Sequence, residues 1–223
     1  LEVLEKCFAR DKMPFAAFSE IRISFDNPDF TLVPSALFDP ALRREYLSFL
    51  TPELPSRALL YDQIFPLKAV NVYAVNKDVA GYLKKEFKTA RYYHADTAFV
   101  VSLMKNGALA GDRMYVRVLP GRMTVVMMGE DGLQMVQPYA IHHETDALYH
   151  VLNAVRQLGL APEGLRVFLS GEIGEDSPLY KELRQQIPEV AWLQHPAVFK
   201  YIEAFGAYPD HHFYNLISLA SCG

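Results

Sequence analysis

The sequence predicts an α/β fold built as two lobes, and three observations predict it. The clearest is the order of elements across residues 114–219: three consecutive β-rich runs, a helix, a strand, a helix, a short strand and a closing helix. The second is length, since 223 residues accommodate two compact α/β lobes of ~100 residues each. The third is Asn106-Gly107-Ala108-Leu109-Ala110-Gly111, a small-residue stretch with no hydrophobic period. It reads as the hinge between a first lobe at 1–107 and a second at 112–223.

The first half opens on a helix in LEVLEKCFARD, where Leu1, Leu4 and Phe8 share one face at i, i+3, i+7 spacing. If this half is built like the second, a strand meander precedes that helix in the intact protein. EIRISF (20–25) and FTLVP (30–34) alternate around Asp26-Asn27-Pro28-Asp29 and read as a hairpin or an adjacent strand pair. Asp39 as N-cap, with Pro40 at the first helical position, opens a helix to about Leu50. Pro52 and Pro55 make 51–57 a loop, and strands follow at 58–64 and 69–75. A helix runs from Asn76 to near Phe87. A short strand covers 90–93, and Asp96 caps a helix to Lys105.

In the second half, MYVRVLP and MTVVMMG flank Pro120-Gly121-Arg122, and GLQMVQPY follows Gly129-Glu130-Asp131-Gly132. Glycine supplies the positive φ, and proline the fixed φ, that tight connections need. Then come a helix at 143–158, the buried strand LRVFLSG, and a helix capped by Ser177 with Pro178 at its first position. This order makes 114–193 a five-stranded sheet. The middle strand of the meander is antiparallel to its neighbours, and strand 165–170 lies beside 114–119. In the closing HFYNLISLA, Phe213, Leu216, Ile217 and Ala220 form one stripe behind an Asp210 cap, and so short a helix must bury its stripe to persist.

Composition narrows the function classes. The chain is 51% hydrophobic and 13% aromatic, so a sizeable core is available. A net charge of −4, with Lys and Arg spread along the chain, argues against nucleic acid as the partner. No apolar run approaches the ~18–20 residues of a membrane span and no signal peptide is visible, which points to the cytoplasm. Cys7 and Cys222 read as reduced, partly buried thiols rather than as a disulfide.

The meander feeding alternating helices and strands resembles one ribonuclease-H-like unit, which occurs in pairs in the actin-like ATPase superfamily. Two segments carry the resemblance, in particular to the bacterial members involved in pilus assembly and cell division. In LLYDQIFPLKAVNVYAVNKDVAGYLKKEFKTARYYHADTAFV, the strand 70–75, the turn Asn76-Lys77-Asp78, the helix 79–87 and residues 92–101 match the order of elements in those proteins. In 114–139 followed by RVFLSGEIGEDSPLYKELRQQI, the strand RVFLSG resembles the one that underlies the adenine, and SPLYKELRQQI the helix after it. The match is one of pattern, over about two thirds of the chain. With FTLVP and YYH, the run also resembles a bacterial family assigned this fold and no activity. The resemblance implies two ribonuclease-H-like lobes of the actin-like ATPase type, the first without its N-terminal meander.

Members that hydrolyse ATP hold its phosphates between two Gly-containing hairpins, with an Asp near each for Mg²⁺ or the attacking water. Phosphoryl transfer is mostly positioning and charge neutralisation, which requires those groups. Carried onto this sequence, the hairpin is 118–124, with Gly121, Arg122 and Thr124 as candidate phosphate-side residues. The acidic residue is absent from Arg117-Val118-Leu119-Pro120, and Pro120 removes a donor from the loop. On the adenine side the candidates are Ser170, Gly171 and Glu172. ATP binders have two or three consecutive glycines there, so that backbone lies flat against purine and ribose; here only Gly171 is in place. Glu172, Glu175 and Asp176 repel a polyanion unless a metal intervenes. A strand-to-helix turn capped by Ser177 accounts for the same residues without a ligand.

His143, Asp146 and His150 fall on one helical face beside His142 and Glu144, a set that could ligate Zn²⁺. A helix start that favours acidic and capping residues accounts for them more simply, so no metal is expected. His211-His212 behind Asp210 is likewise structural, and Tyr92-Tyr93-His94 reads equally well as an aromatic binding strip or as a half-buried strand enriched in Tyr. No Gly-x-Ser-x-Gly, no GK[ST] loop and no Cys-x-x-Cys occurs. The expected function is a non-catalytic scaffold or protein-interaction module with a degenerate nucleotide cleft, no catalytic residue and no required cofactor, ATP and Mg²⁺ being the ones the resemblance allows. The alternative is an ATP-binding or ATP-hydrolysing protein whose phosphate loop lies upstream of residue 1.

Overall fold

The stretches with a strong hydrophobic period become helices and strands in a computed structural model, which describes residues 1–10, 18–50, 54–106, 111–196, 199, 201 and 206–222. The chain divides into two units, Leu1–Thr97 and Ala98–Gly223. The hinge expected at 106–111 lies mostly outside the described residues, since 107–110 are not among them. The division falls earlier, within a helix, because the body of that helix packs in the second unit. Phe99 meets Tyr214 edge to face at 5.8 Å, and the Ser102 and Tyr214 hydroxyls are hydrogen-bonded at 3.1 Å.

The first unit contains α1 (Glu2–Arg10), β1 (Arg22–Phe25), β2 (Phe30–Pro34), α2 (Arg43–Leu47), β3 (Arg57–Ile64), β4 (Ala69–Asn76), α3 (Lys77–Glu86) and β5 (Arg91–His94). β1 and β5 are a parallel pair, and β2-β4-β3 is an antiparallel sheet. EIRISF and FTLVP are therefore neither a hairpin nor neighbours. The Asn27 side chain accepts from the Asp29 N–H, and the Asp29 carbonyl accepts from Ala74, which turns the chain toward β4. Val33, Leu47, Val70, Val72 and Ala74 form the core beneath α2.

The helix expected from Pro40 to Leu50 is shorter: a 3-10 turn at Pro40–Leu42, then α2. Asp39 does cap it, accepting from the Ala41 N–H at 2.8 Å. Ser48 bonds back to the Glu45 carbonyl, competing with continuation. Residues 51–53 of the expected loop lie outside the described residues. Asn76 caps α3 by accepting from Asp78 and Val79. Helix α4 (Ala95–Lys105) starts one residue before Asp96, and its first turn is held by the His94 ring accepting from the Asp96 N–H. His94, not Asp96, is the capping side chain.

The second unit is built on a sheet of order β10-β9-β6-β7-β8, from β6 (Arg113–Leu119), β7 (Arg122–Gly129), β8 (Gly132–Ala140), β9 (Arg166–Gly171) and β10 (Glu189–Trp192). β7 is antiparallel to both neighbours, and β9 lies parallel between β6 and β10, as the crossover rule requires. Alternation divides the side chains between the faces. Val116, Val118, Met123, Val125, Val167 and Leu169 pack under α5 (Glu144–Gln157) and α6 (Pro178–Gln186). Arg117, Thr124 and Ser170 take the other face, with Phe99 of α4 beneath the Arg117 guanidinium.

The C-terminal segment departs from its expected stripe. Helix α7 is only Tyr214–Ser218, followed by a 3-10 turn at Leu219–Ser221. Leu216 is 64% exposed, whereas Tyr214, Ser218, Leu219 and Cys222 are buried. The anchor is the Tyr214 ring, whose hydroxyl is bonded to Ser102 and Asn106, and that contact sets the rotation of the helix. Phe213 takes the N-cap position in place of Asp210, with no side-chain cap bond.

Candidate functional site

From β6 the chain turns into β7; from β9, on the other flank of β6, it leaves through α6 toward β10. Connections that diverge from adjacent parallel strands leave a crevice outside the strands' carboxyl ends, where open α/β sheets bind ligands. A cavity of about 320 Å³ lies at that point. Its walls are the β6–β7 turn (Leu119, Pro120, Gly121), the entry to α5 (His142, His143) and the turn after β9 (Glu172, Ile173).

Of the six residues singled out from the sequence, Gly121 and Glu172 line this cleft. Thr124 and Ser170 belong to the opposite face of the sheet, where the Thr124 hydroxyl accepts from the buried Arg117 guanidinium at 3.1 Å. Arg122 opens β7 opposite Leu119 and alternates onto the Thr124 side. Gly171 has φ +92°, and a Cβ there would overlap the Val118 carbonyl oxygen, 3.0 Å from its carbon. This glycine lets β9 pass tightly beside β6.

Several polar groups around the cleft are engaged within the protein. Gly171 donates its N–H to the His211 carbonyl at 2.9 Å, and Glu172 donates to Val118 at 2.8 Å. Ser177 Oγ accepts from Tyr180 and caps α6. Asp146 accepts from the N–H groups of both His142 and His143 at 2.9 Å, and those bonds hold its carboxyl below the usual range. His143 is the N-cap of α5, and His150 stacks on Tyr139 at 4.2 Å. The histidine cluster thus builds a helix start. Among the described residues no group of three or more His, Cys, Asp or Glu is placed to hold a metal ion.

A second polar cluster, in the first unit, escaped the sequence reading. Asp62 on β3 is 6% exposed and accepts from Tyr73 Oη (3.1 Å), the His94 N–H (2.7 Å) and Thr97. Burial pushes its carboxyl up to about 6, against the pull of those bonds. Thr97 also accepts from Asn71 Nδ2 at 2.9 Å. His94 Nδ1 accepts from Asp96 while Nε2 lies 3.0 Å from the Asn27 carbonyl, an arrangement that fixes the neutral tautomer with its proton on Nε2. The cluster ties β3, β4 and β5 together. Its signal in the sequence is a carboxylate inside the strand run ALLYDQI.

Two solved structures define the class of fold. A protein from Bacteroides thetaiotaomicron VPI-5482, with an actin-like ATPase fold and unknown function, is similar to this chain with a TM-score of 0.84. It is 16% identical over 99% of this chain and 80% of its own. The PilM–PilN type IV pilus biogenesis complex is similar with a TM-score of 0.55, at 14% identity over 92% of this chain and 80% of that one. The fold is that of the actin-like ATPases. Residues 1–190 match the family described as "Protein of unknown function (DUF3822)", and the chain belongs to that family. No curated protein matches it. No helix among the described residues is long and apolar enough to cross a membrane.

Proposed function

We propose that this chain is a non-catalytic actin-like module that acts through protein partners. Its two ribonuclease-H-like lobes, at 1–107 and 112–223, are kept for their shape, and its nucleotide cleft is degenerate. The observation that carries this reading is the fate of the backbone donors at the cleft. Gly171, Glu172, His142 and His143 direct their N–H groups to protein acceptors, and Pro120 has none. A triphosphate requires such donors together with a carboxylate that holds Mg²⁺. Leu119 stands at the end of β6, where that carboxylate belongs, and Glu172 adds a negative charge to the cleft.

The five-strand order of the second unit supports the lobe reading. In the first unit, α1, β1 and α3 border a groove of about 600 Å³ bounded by Phe8, Ile23, Leu83 and Phe87. The PilM–PilN structure is itself a complex, which supports a protein partner here. Cys7 and Cys222, which are not joined in a disulfide, fit the cytoplasm. Thermal melting with and without Mg·ATP tests the reading. Ligand at about 100 times its dissociation constant would stabilise the folded state by ~2.7 kcal/mol and raise the midpoint by several degrees. The expected shift is zero, and a saturable rise would refute the proposal.

A further inference from the structure

The cleft keeps its shape although its donors are engaged, and what remains exposed in it has a definite chemistry. Its floor is apolar, formed by Val118, Leu119, Pro120, Ile141, Ile173 and Leu179, with His142 and His143 at the α5 entry. On the β9 side Glu172 lines it, and Glu175 and Asp176 follow in the same turn, between the lining residues Gly174 and Ser177; all three carboxylates are exposed. The nearest cation on α6, Lys181, donates to the Asp176 carbonyl rather than to a carboxylate, so the rim stays net negative. Small-molecule sites orient their ligands with a few converging polar groups inside the pocket. Here the N–H groups of Glu172, His142 and His143 and the Ser177 hydroxyl oxygen are already bonded within the protein. An apolar pocket ringed by charge instead fits the anchor side chain of a protein partner.

We propose that this cleft is a docking groove for a polypeptide segment that presents an apolar side chain flanked by lysine or arginine. The apolar side chain seats between Leu119 and Ile173, at the crevice where the chain diverges from β6 and β9. The flanking cations meet Glu172, Glu175 and Asp176, and this charge complementarity selects the partner and speeds encounter. The inference rests on the reading of the chain as a protein-interaction module with a degenerate nucleotide cleft, and it assigns that module's surface.

The test is fluorescence anisotropy with three labelled synthetic peptides: Leu-Leu flanked by Lys and Arg, Leu-Leu flanked by Glu and Asp, and Ser-Ser flanked by Lys and Arg. Only the first is expected to bind saturably, and to weaken as salt is raised. The double variant Glu172→Lys/Glu175→Lys changes exposed side chains, so the fold is retained. It is expected to weaken the first peptide about tenfold or more. Absence of binding by the first peptide, equal binding by the acidic or serine peptide, or an unchanged affinity in the double variant would each overturn the proposal. If it is overturned while Mg·ATP still causes no thermal shift, only the docking inference falls. If Mg·ATP binds and displaces the peptide, the reading of the cleft as degenerate falls with it.

Discussion

Replacing Gly171 by alanine separates a structural glycine from a ligand-binding one. The residue has φ +92°, and its Cβ would overlap the Val118 carbonyl oxygen on the adjacent strand. A left-handed backbone costs an alanine ~1–2 kcal/mol. Crowding against a fixed backbone carbonyl adds ~1–3 kcal/mol, because β6 is held on both sides and the β9 pairing must open locally to make room. The total, about 2–5 kcal/mol, is a large share of a typical net stability of ~5–15 kcal/mol. Gly121 is the internal control. It has φ +75° and nothing within 4 Å of its Cβ position, so Gly121→Ala should cost only the backbone component. Urea denaturation measures both, and Gly171→Ala should lower the midpoint by ~1–2 M at unchanged slope. Equal, small losses for the two variants would refute the argument that Gly171 is present for strand packing.

The other predictions concern the polar cluster, the C-terminal anchor and the start of α5. Asp62 titrates at about 6 in the folded state, against 3.8 without burial. Above pH ~6 both states hold a carboxylate and the folded one bears the cost of burying it; as pH falls the folded state protonates first. Stability should therefore rise by up to ~3 kcal/mol between pH ~7 and ~4 from this group, and Asp62→Asn should flatten that slope in urea melts across pH. Asp146, held low by the His143 and His142 N–H groups, acts in the opposite sense. Its contribution is present above the usual carboxylate range and lost below it, so Asp146→Ala should reduce acid sensitivity in the same melts. Tyr214→Ala should cost ~3–5 kcal/mol by chemical denaturation, since it empties the site over Phe99. Tyr214→Phe should cost only the hydroxyl's bonds to Ser102 and Asn106, ~1–2 kcal/mol. If removing residues 214–223 left the melting temperature unchanged, this anchor role would be disproved.

The sequence revealed most where one local rule governed. Asp39 and Ser177 cap the segments they were expected to cap, because a side-chain acceptor followed by free N–H groups requires nothing distant. The meander 114–139 was legible because its turns and alternation agree. Partners set by tertiary pairing were not legible. β1 chose β5, across more than sixty intervening residues, over the neighbouring β2, and no local pattern encodes that. The stripe Phe213, Leu216, Ile217, Ala220 suited an ideal helix. The tyrosine between those positions instead found buried partners on α4, and a five-residue helix cannot resist that rotation. The candidate site divided for the same reason. Gly121 and Glu172 sit on turns that close around the cleft, whereas strand alternation turned Thr124 and Ser170 away from it. Asp62 was passed over because its partners, Tyr73, His94 and Thr97, come from three other elements.

If the cleft around Pro120 and Glu172 is degenerate, it lacks the donors and the metal-holding carboxylate that a nucleotide needs. Titration calorimetry of the protein with Mg·ATP measures this directly, with Mg·ADP and ATP in EDTA as companions. Heats of dilution are expected for all three. A saturable isotherm with micromolar Mg·ATP affinity, weakened by Gly121→Ala, would contradict this and identify the cleft as a working nucleotide site.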